Sequence, residues 1–88
     1  MFEWDEAKRQ SNIQRRGMDF LDAVDVFDGR PVITYASVRE SETRFVTVGK
    51  LQEKLWSVVW TERESRKRII SAYRADNADR KRFEEIYP

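Results

Sequence analysis

The chain of 88 residues contains no cysteine and no histidine. It can therefore form no disulfide, no thiolate nucleophile, no thiolate or imidazole metal site and no serine–histidine acid–base pair. Any chemistry must depend on Arg, Lys, Tyr, Glu or Asp, and we expect neither a metal nor another cofactor.

Long apolar runs are also absent. No stretch approaches the roughly 20 apolar residues that a membrane span needs, and the opening "MFEWDEAKRQ" has no apolar signal-peptide core. These features predict a cytoplasmic protein that does not contact a membrane.

Hydrophobic residues nevertheless make up 40% of the chain and aromatic residues 12%, which is too much for a disordered segment even with 38% charged residues. The length predicts one domain over residues 1–88. Three Trp, three Tyr and five Phe can supply much of its core, and we expect most of the Trp and Phe rings to be buried rather than to stack on a ligand.

Charge is unevenly distributed, although 17 cations and 16 anions give a net charge of only +1. The net charge is −3 over residues 1–28, +1 over 29–62, +5 over 63–82 and −2 over 83–88. Twelve of the cations are Arg, whose planar fork suits phosphate. The basic segment predicts either an anion-binding surface or simply a solvated one.

The first 30 residues predict two helices. The acidic pair Asp5 and Glu6 indicates a helix start, and the basic pair before Gly17 indicates its end, so we expect a helix over about 5–16. A second amphipathic helix begins at Asp19 and ends before Gly29 and Pro31, with an acidic outer stripe.

From Pro31 the hydrophobic period changes to 2, and four segments have strand composition: "PVITYASV", "TRFVTVGK", "KLWSVVWT" and "RKRIISAY". The short polar segments between them favour antiparallel hairpins. A final helix starts at Asp76 or Asn77. Its residues expected to face the sheet are Ala78, Phe83, Ile86 and Tyr87. The fold class is therefore α+β, with two N-terminal helices, a four-stranded mainly antiparallel sheet and a C-terminal helix.

The last predicted hairpin brings Arg63 and Arg68 close together. Two guanidinium groups repel each other unless an anion lies between them, and a phosphodiester fits that requirement. Pairing with Glu62, Glu64 or the acidic second helix is the structural alternative.

Strict strand alternation separates these polar groups. It puts Arg68 and Ile70 on one face and Ser71 and Tyr73 on the other, so that only a bulge or twist would bring them into one site. Tyr73 is therefore assigned either to the edge of the core or to a site.

Five separated blocks resemble one known family: "FEWDEAKRQSN", "RRGMDFLDAVDVF", "SETRFVTVGK", "WTERES" and "RIISAYRA". In this order and over nearly the whole chain, they are similar to the BrnT toxins of type II toxin–antitoxin systems. The resemblance implies a RelE-like microbial ribonuclease fold, RNA cleavage that stops translation, and neutralisation by a BrnA-type antitoxin with a ribbon-helix-helix domain. Operator DNA would be bound only through that antitoxin.

The resemblance also assigns residues. Lys8 and Asn12 match the family's first-helix motif, and Glu42 and Arg44, Arg63, and Arg68 match its strand motifs. The chain departs from the family's pattern in three places. Arg16 and the segment 39–41 stand where many relatives have His, and Tyr73 stands where they have Arg.

The resulting hypothesis is a metal-independent endoribonuclease toxin. Arg63 and Arg68 would stabilise the scissile phosphate, and Tyr73 or Lys8 would transfer protons. Residues expected to bind the RNA are Arg66, Lys67, Arg74 and Arg44. The alternatives are a non-catalytic module that only binds nucleic acid or a partner, and a subunit that is stable only in a hetero-oligomer.

Overall fold

The computed structural model describes residues 1–88 and contains five strands and three helices. In chain order these are β1 (Phe2–Trp4), α1 (Glu6–Arg16), α2 (Phe20–Ala23, continued by a 3₁₀ turn over Val24–Phe27), β2 (Val32–Arg39), β3 (Glu42–Leu51), β4 (Lys54–Arg63), β5 (Arg66–Arg74) and α3 (Asn77–Ile86).

The strands form one sheet in the order β1-β5-β4-β3-β2. Two-residue turns join the four long strands into the predicted antiparallel hairpins. The prediction of four strands is wrong, because β1 adds a fifth, parallel to β5, and makes the sheet mixed. Three residues are too few to show a period of 2, so the sequence pattern did not reveal this strand.

The two N-terminal helices begin where the sequence predicts. The Asp5 carboxylate accepts hydrogen bonds from the backbone N–H groups of Ala7 (2.8 Å) and Lys8 (3.3 Å), and Gly17 ends α1 at a φ of 76°. Asp19 likewise caps α2. The second helix is less regular than expected, since it tightens into the 3₁₀ turn after one turn.

Each face of the sheet has its own apolar cluster. One face, called the α2 face, packs against α2 and its 3₁₀ turn and contains Trp56, Val58 and Trp60. The opposite face, called the α3 face, packs against α3 and contains Leu55 and Val59. This partition of β4 confirms the predicted alternation, and it confirms that these Trp rings belong to the core.

Helix α3 covers the sheet only in part, and its predicted inner face is corrected. Phe83 is buried, but Ala78 is exposed and Ile86 is 61% exposed. The second buried residue is Asp79, whose carboxylate accepts hydrogen bonds from the hydroxyls of Tyr35 (2.6 Å) and Ser57 (2.7 Å). Because a carboxylate fixes the helix to the sheet, the apolar pattern alone indicated the wrong rotation.

The buried amide of Asn12 covers the outer edge of β5 beyond the end of β1. Its Nδ2 donates to the carbonyl oxygens of Met18 (2.8 Å) and Ala72 (2.9 Å), and its Oδ1 accepts from the Ala72 N–H (3.1 Å). The side chain therefore pairs with β5 as the backbone of a neighbouring strand would.

Asn12→Asp removes both donors and leaves two buried carbonyl groups facing a carboxylate. We expect the free energy of unfolding, measured by urea denaturation, to fall by about 2–4 kcal/mol. Ser11→Ala, at an exposed neighbour, is the control and should change stability by less than about 0.5 kcal/mol. Equal stability of the two variants would contradict the assigned role of Asn12.

Arg9 joins α1 to α2 through two carboxylates. Its guanidinium binds Glu6 (2.8 Å) and Asp19 (2.9 Å). Hydrogen bonding to Arg9 lowers the pKa of Glu6 to about 2, and the Leu21 N–H together with Arg9 lowers the pKa of Asp19. Both carboxylates are therefore charged in the folded protein at a pH where the unfolded chain binds protons.

A folded-state pKa below the unfolded value stabilises the protein above about pH 4, and this stabilisation is lost as the pH falls toward about 2. We therefore expect the Tm to fall over that range. Arg9→Met should lower the Tm at pH 7 more than at pH 2, because its partners are protonated in acid. Thermal unfolding followed by circular dichroism between pH 2 and 7 measures the difference, and parallel curves for the two proteins would contradict it.

Candidate functional site

The part of the α3 face that α3 leaves uncovered forms a groove of about 390 Å³. Its lining combines three guanidinium groups, two phenols, two hydroxyls and three aliphatic side chains. They belong to Arg16, Arg39, Arg44, Tyr35, Tyr73, Ser37, Ser71, Val46, Val59 and Ile70.

Strands β2 and β3 supply one wall through the alternation of their side chains. Tyr35, Ser37 and Arg39 follow one another at every second position of β2, and Ser37 lies opposite Arg44 of β3. Arg16 reaches the groove from the last turn of α1, immediately before the helix ends.

A β-bulge turns β5 toward the groove. Val59 pairs with Ser71 and Trp60 with Ile69, so Ile70 has no opposite residue. Ile69 and Ala72, three positions apart, can therefore both enter the core of the α2 face. Strict alternation would put Arg68 on the opposite face from Ser71 and Tyr73. The bulge instead places all three side chains on the same face.

A smaller groove of about 140 Å³ continues the first one along α1. The two share Arg16, Ile70 and Ser71, and the smaller one adds Lys8 and Arg15. No acidic side chain lines either groove. The cations that line the combined surface are Lys8, Arg15, Arg16, Arg39 and Arg44.

Most of these cations have no carboxylate partner. Arg44 binds Glu42 at 2.8 Å, and that guanidinium lowers the pKa of the Glu42 carboxyl. Arg16 and Arg39 form no ion pair within the chain. The joined grooves are thus a concave surface whose positive charge is largely uncompensated, which favours an anionic ligand.

The two phenols of the groove are neutral hydrogen-bond donors. Burial raises the pKa of Tyr73, and the negative charges of Asp79 and Asp76 raise it further. Burial and the hydrogen bond to Asp79 raise the pKa of Tyr35. The Tyr35 hydroxyl is therefore engaged, whereas the Tyr73 hydroxyl donates to no group of the chain, and the Arg16 guanidinium lies 5.5 Å from its ring centre.

Three of the residues predicted from sequence line this surface. Tyr73 and Arg44 lie in the larger groove and Lys8 in the smaller one. Asn12 also lines the smaller groove, but its amide is committed to the backbone of β5.

The predicted arginine pair at the β4–β5 hairpin is arranged differently. Arg63 lies opposite Arg66, and Arg68 lies opposite Thr61. The anion between the cations is the Glu3 carboxylate of β1, at 2.9 Å from Arg68 and 3.6 Å from Arg66. This partner was not among the alternatives considered, because β1 was not predicted.

Lys67 and Arg74 lie on the α2 face, away from the groove. The Lys67 ammonium is 5.0 Å from the ring centre of Trp60, and the Arg74 guanidinium is 5.9 Å from that of Trp56. Both cations therefore lie over aromatic rings on the opposite side of the sheet.

Sequence reasoning missed Arg39, Tyr35, Ser37 and Ser71 as groove residues. The three on β2 share a period of 2, but only the pairing with β3 shows that they meet Arg44. One signal was present in the resemblance: the chain departs from the family's pattern at Arg16, in the segment 39–41 and at Tyr73, and Arg16, Arg39 and Tyr73 line the groove.

Nowhere in residues 1–88 do three or more carboxylate, imidazole or thiol side chains come together as a group that could hold a metal ion. None of the helices has both the length and the apolar character that crossing a membrane requires.

Comparison with known proteins assigns the chain to a protein family. Residues 4–79 match the family described as the ribonuclease toxin, BrnT, of type II toxin–antitoxin systems. No curated protein matches the chain. The matched region includes every residue that lines the two grooves. The chain therefore belongs to the BrnT family of ribonuclease toxins of type II toxin–antitoxin systems.

Proposed function

We propose that the joined grooves bind RNA and that the larger one contains the cleavage site. The observation that carries this proposal is the set of five cations in a continuous concave surface without an acidic side chain. RNA presents one negative charge per nucleotide, and arginine binds phosphate through paired N–H donors. Arg16, Arg39 and Arg44 would surround the scissile phosphate and stabilise its negative charge in the transition state.

Cleavage proceeds by attack of the 2′-hydroxyl on the adjacent phosphorus. A new P–O2′ bond forms, the P–O5′ bond breaks, and a 2′,3′-cyclic phosphate and a free 5′-hydroxyl result. The leaving 5′-oxygen needs a proton, and our candidate donor is the Tyr73 phenol, which is neutral and donates to no group of the chain. Lys8 is the only amine in the two grooves, and from the smaller groove it is our candidate for proton transfer at the 2′-hydroxyl.

The cations of the β4–β5 hairpin line neither groove, so we assign Arg63 and Arg68 a role other than the stabilisation of the scissile phosphate that the sequence suggested. Arg63, Arg66 and Arg68 share the α3 face and would bind phosphates that flank the cleavage site, with Arg68 and Arg66 exchanging Glu3 for RNA. Lys67 and Arg74 lie on the other face, so RNA in the groove would not contact them.

The mechanism that we propose uses no metal ion. Its support is the donor set of the chain, which has no histidine or cysteine and no cluster of carboxylates in the groove. Positive charge at the phosphate would come from arginine instead.

The biological consequence that we propose is cleavage of messenger RNA in the cytoplasm and arrest of translation. A type II system implies an antitoxin protein, and the family matched here is such a toxin family. We propose that the antitoxin has a ribbon-helix-helix domain and that the complex binds operator DNA only through it.

Arg16→Ala and Arg39→Ala should each lower the cleavage rate of a labelled RNA about 10²-fold, the usual loss when one donor to a transition-state charge is removed. Lys67→Ala and Arg74→Ala are matched controls that remove the same charge from the other face, and they should change the rate less than about threefold. The wild-type rate should be unaffected by EDTA. Equal losses in groove variants and controls would contradict the groove as the site, and binding without any product would favour a non-catalytic module.

Tyr73→Phe should lower the cleavage rate by about 10²-fold or more while leaving the Kd for a 2′-O-methyl RNA within about twofold, because it removes a proton donor and no charge. The wild-type rate should show no inflection near pH 6.5, since the chain has no imidazole and the raised pKa of Tyr73 keeps the phenol protonated at neutral pH. An unchanged rate in Tyr73→Phe would contradict its role.

A further inference from the structure

One edge of the sheet is covered by further hydrogen-bonding groups of the chain, whereas the other edge is almost entirely unpaired. On the β5 side, β1 pairs with residues Lys67, Arg68 and Ile69, and Asn12 then pairs with Ala72. On the β2 side, the outward contact is a single hydrogen bond of 3.3 Å, which the Tyr87 hydroxyl donates to the carbonyl of Val32. Strand β2 is thus an open edge of eight residues.

The direction of the backbone groups along this edge follows from two observations. The Val32 carbonyl points outward, and in an antiparallel pair every second residue then does the same. The two-residue turn between Arg39 and Glu42 gives the same assignment. The residues that flank such a turn form backbone hydrogen bonds with each other, so Arg39 points toward β3 and Val38 points away from it. After Val32, the residues that direct N–H and C=O groups away from β3 are therefore Thr34, Ala36 and Val38, which are all exposed.

This edge lacks the usual protection against strand pairing. From Val32 to Val38 it reads "VITYASV", with no charged residue and no proline, and its register against β3 is continuous, without a bulge. Val38 is 71% exposed. Such an edge is ready to accept a further strand.

The neighbouring groove determines which strand fits. Tyr35, Ser37 and Arg39 of β2 line the groove, so a strand added beside β2 would place alternate side chains next to them. Arg39 and Arg16 have no carboxylate partner there. A strand that carries acidic side chains on its groove side would neutralise these cations.

A second copy of this chain fits the same position poorly. Its β2 would bring another Tyr35, Ser37 and Arg39 to the groove side, because the two faces of paired strands are continuous. That arrangement adds cations and no carboxylate to a surface that already has an excess of positive charge. Charge complementarity thus favours a different, acidic partner.

We propose that the antitoxin adds an extended strand to the outer edge of β2 and directs acidic side chains toward Arg39 in the groove. The same segment would then hold the toxin through backbone hydrogen bonds and occupy the surface where we place the RNA phosphate. The inference rests on the type II toxin–antitoxin family for the existence of the partner and on the proposed function for the consequence of covering the groove.

Ala36→Pro tests the strand pairing. It removes one outward N–H donor, and it leaves the hydrogen bonds to β3 intact because the Ala36 N–H does not take part in them. The Kd for the antitoxin encoded beside this toxin, measured by calorimetry with purified proteins, should rise at least about tenfold. Ala36→Val keeps the N–H and is the matched control, with an expected change below about twofold.

Amide hydrogen exchange of the wild-type complex provides a measurement that does not depend on a variant. Antitoxin binding should protect the amides of Thr34, Ala36 and Val38, whereas Tyr35, already bonded to β3, should change little. Absence of new protection, or an unchanged Kd in Ala36→Pro, overturns the proposal. A dimer of the toxin alone that Ala36→Pro dissociates would overturn it in favour of a second copy.

RNA cleavage by each variant, assayed without antitoxin, separates the two proposals. Retained cleavage with an unchanged antitoxin Kd in Ala36→Pro contradicts the strand addition alone. Loss of antitoxin binding in Ala36→Pro, with no RNA product from the wild-type toxin, supports the strand addition and contradicts the nuclease assignment alone.

Discussion

The β-bulge at Ile70 is the constraint on which the groove depends. Without it, β5 could not bury Ile69 and Ala72 on the α2 face while turning Ser71 and Tyr73 toward the other. The amide of Asn12 holds the strand directly after the bulge, through both the N–H and the carbonyl of Ala72. A residue of the first-helix motif thus supports the groove through the backbone of β5.

The second constraint is the carboxylate that fixes α3. Asp79 accepts hydrogen bonds from Tyr35 and Ser57, and Arg82 closes the arrangement at 2.9 Å. This buried anchor sets where α3 stops and the groove begins. Burial raises the pKa of the Tyr73 phenol, and the negative charge of Asp79 raises it further. One acidic side chain on the far side of the groove wall therefore helps to keep the proposed proton donor protonated.

The sequence predicted those features that arise from local patterns. The caps at Asp5, Asp19 and Asp76 and the alternation of β4 depend on neighbouring residues, and the structure confirms them. Strand β1 was missed because three residues carry no period, and its Glu3 then changed the interpretation of Arg66 and Arg68.

Features that depend on distant pairing could not be predicted in the same way. The meeting of Arg16, Arg39 and Arg44 requires the end of α1 to lie beside two strands that follow much later in the chain. The net charge of +5 over residues 63–82 predicted an anion-binding surface in that segment. Lys67 and Arg74 nevertheless lie on the opposite face of the sheet from the groove. Strand alternation divides a charged run between two faces, so net charge over a segment does not locate a binding surface.

The most direct test of the groove as the RNA site is to follow the side-chain Nε–H signals of individual arginines by NMR while a 2′-O-methyl RNA that cannot be cleaved is added. We predict that the signals of Arg16, Arg39 and Arg44 shift together and saturate at one RNA concentration, while that of Arg74 stays unchanged. A shift of the Arg74 signal with no change in the signals of Arg16 and Arg39 would contradict the central claim that the groove, which no acidic side chain lines, binds the RNA.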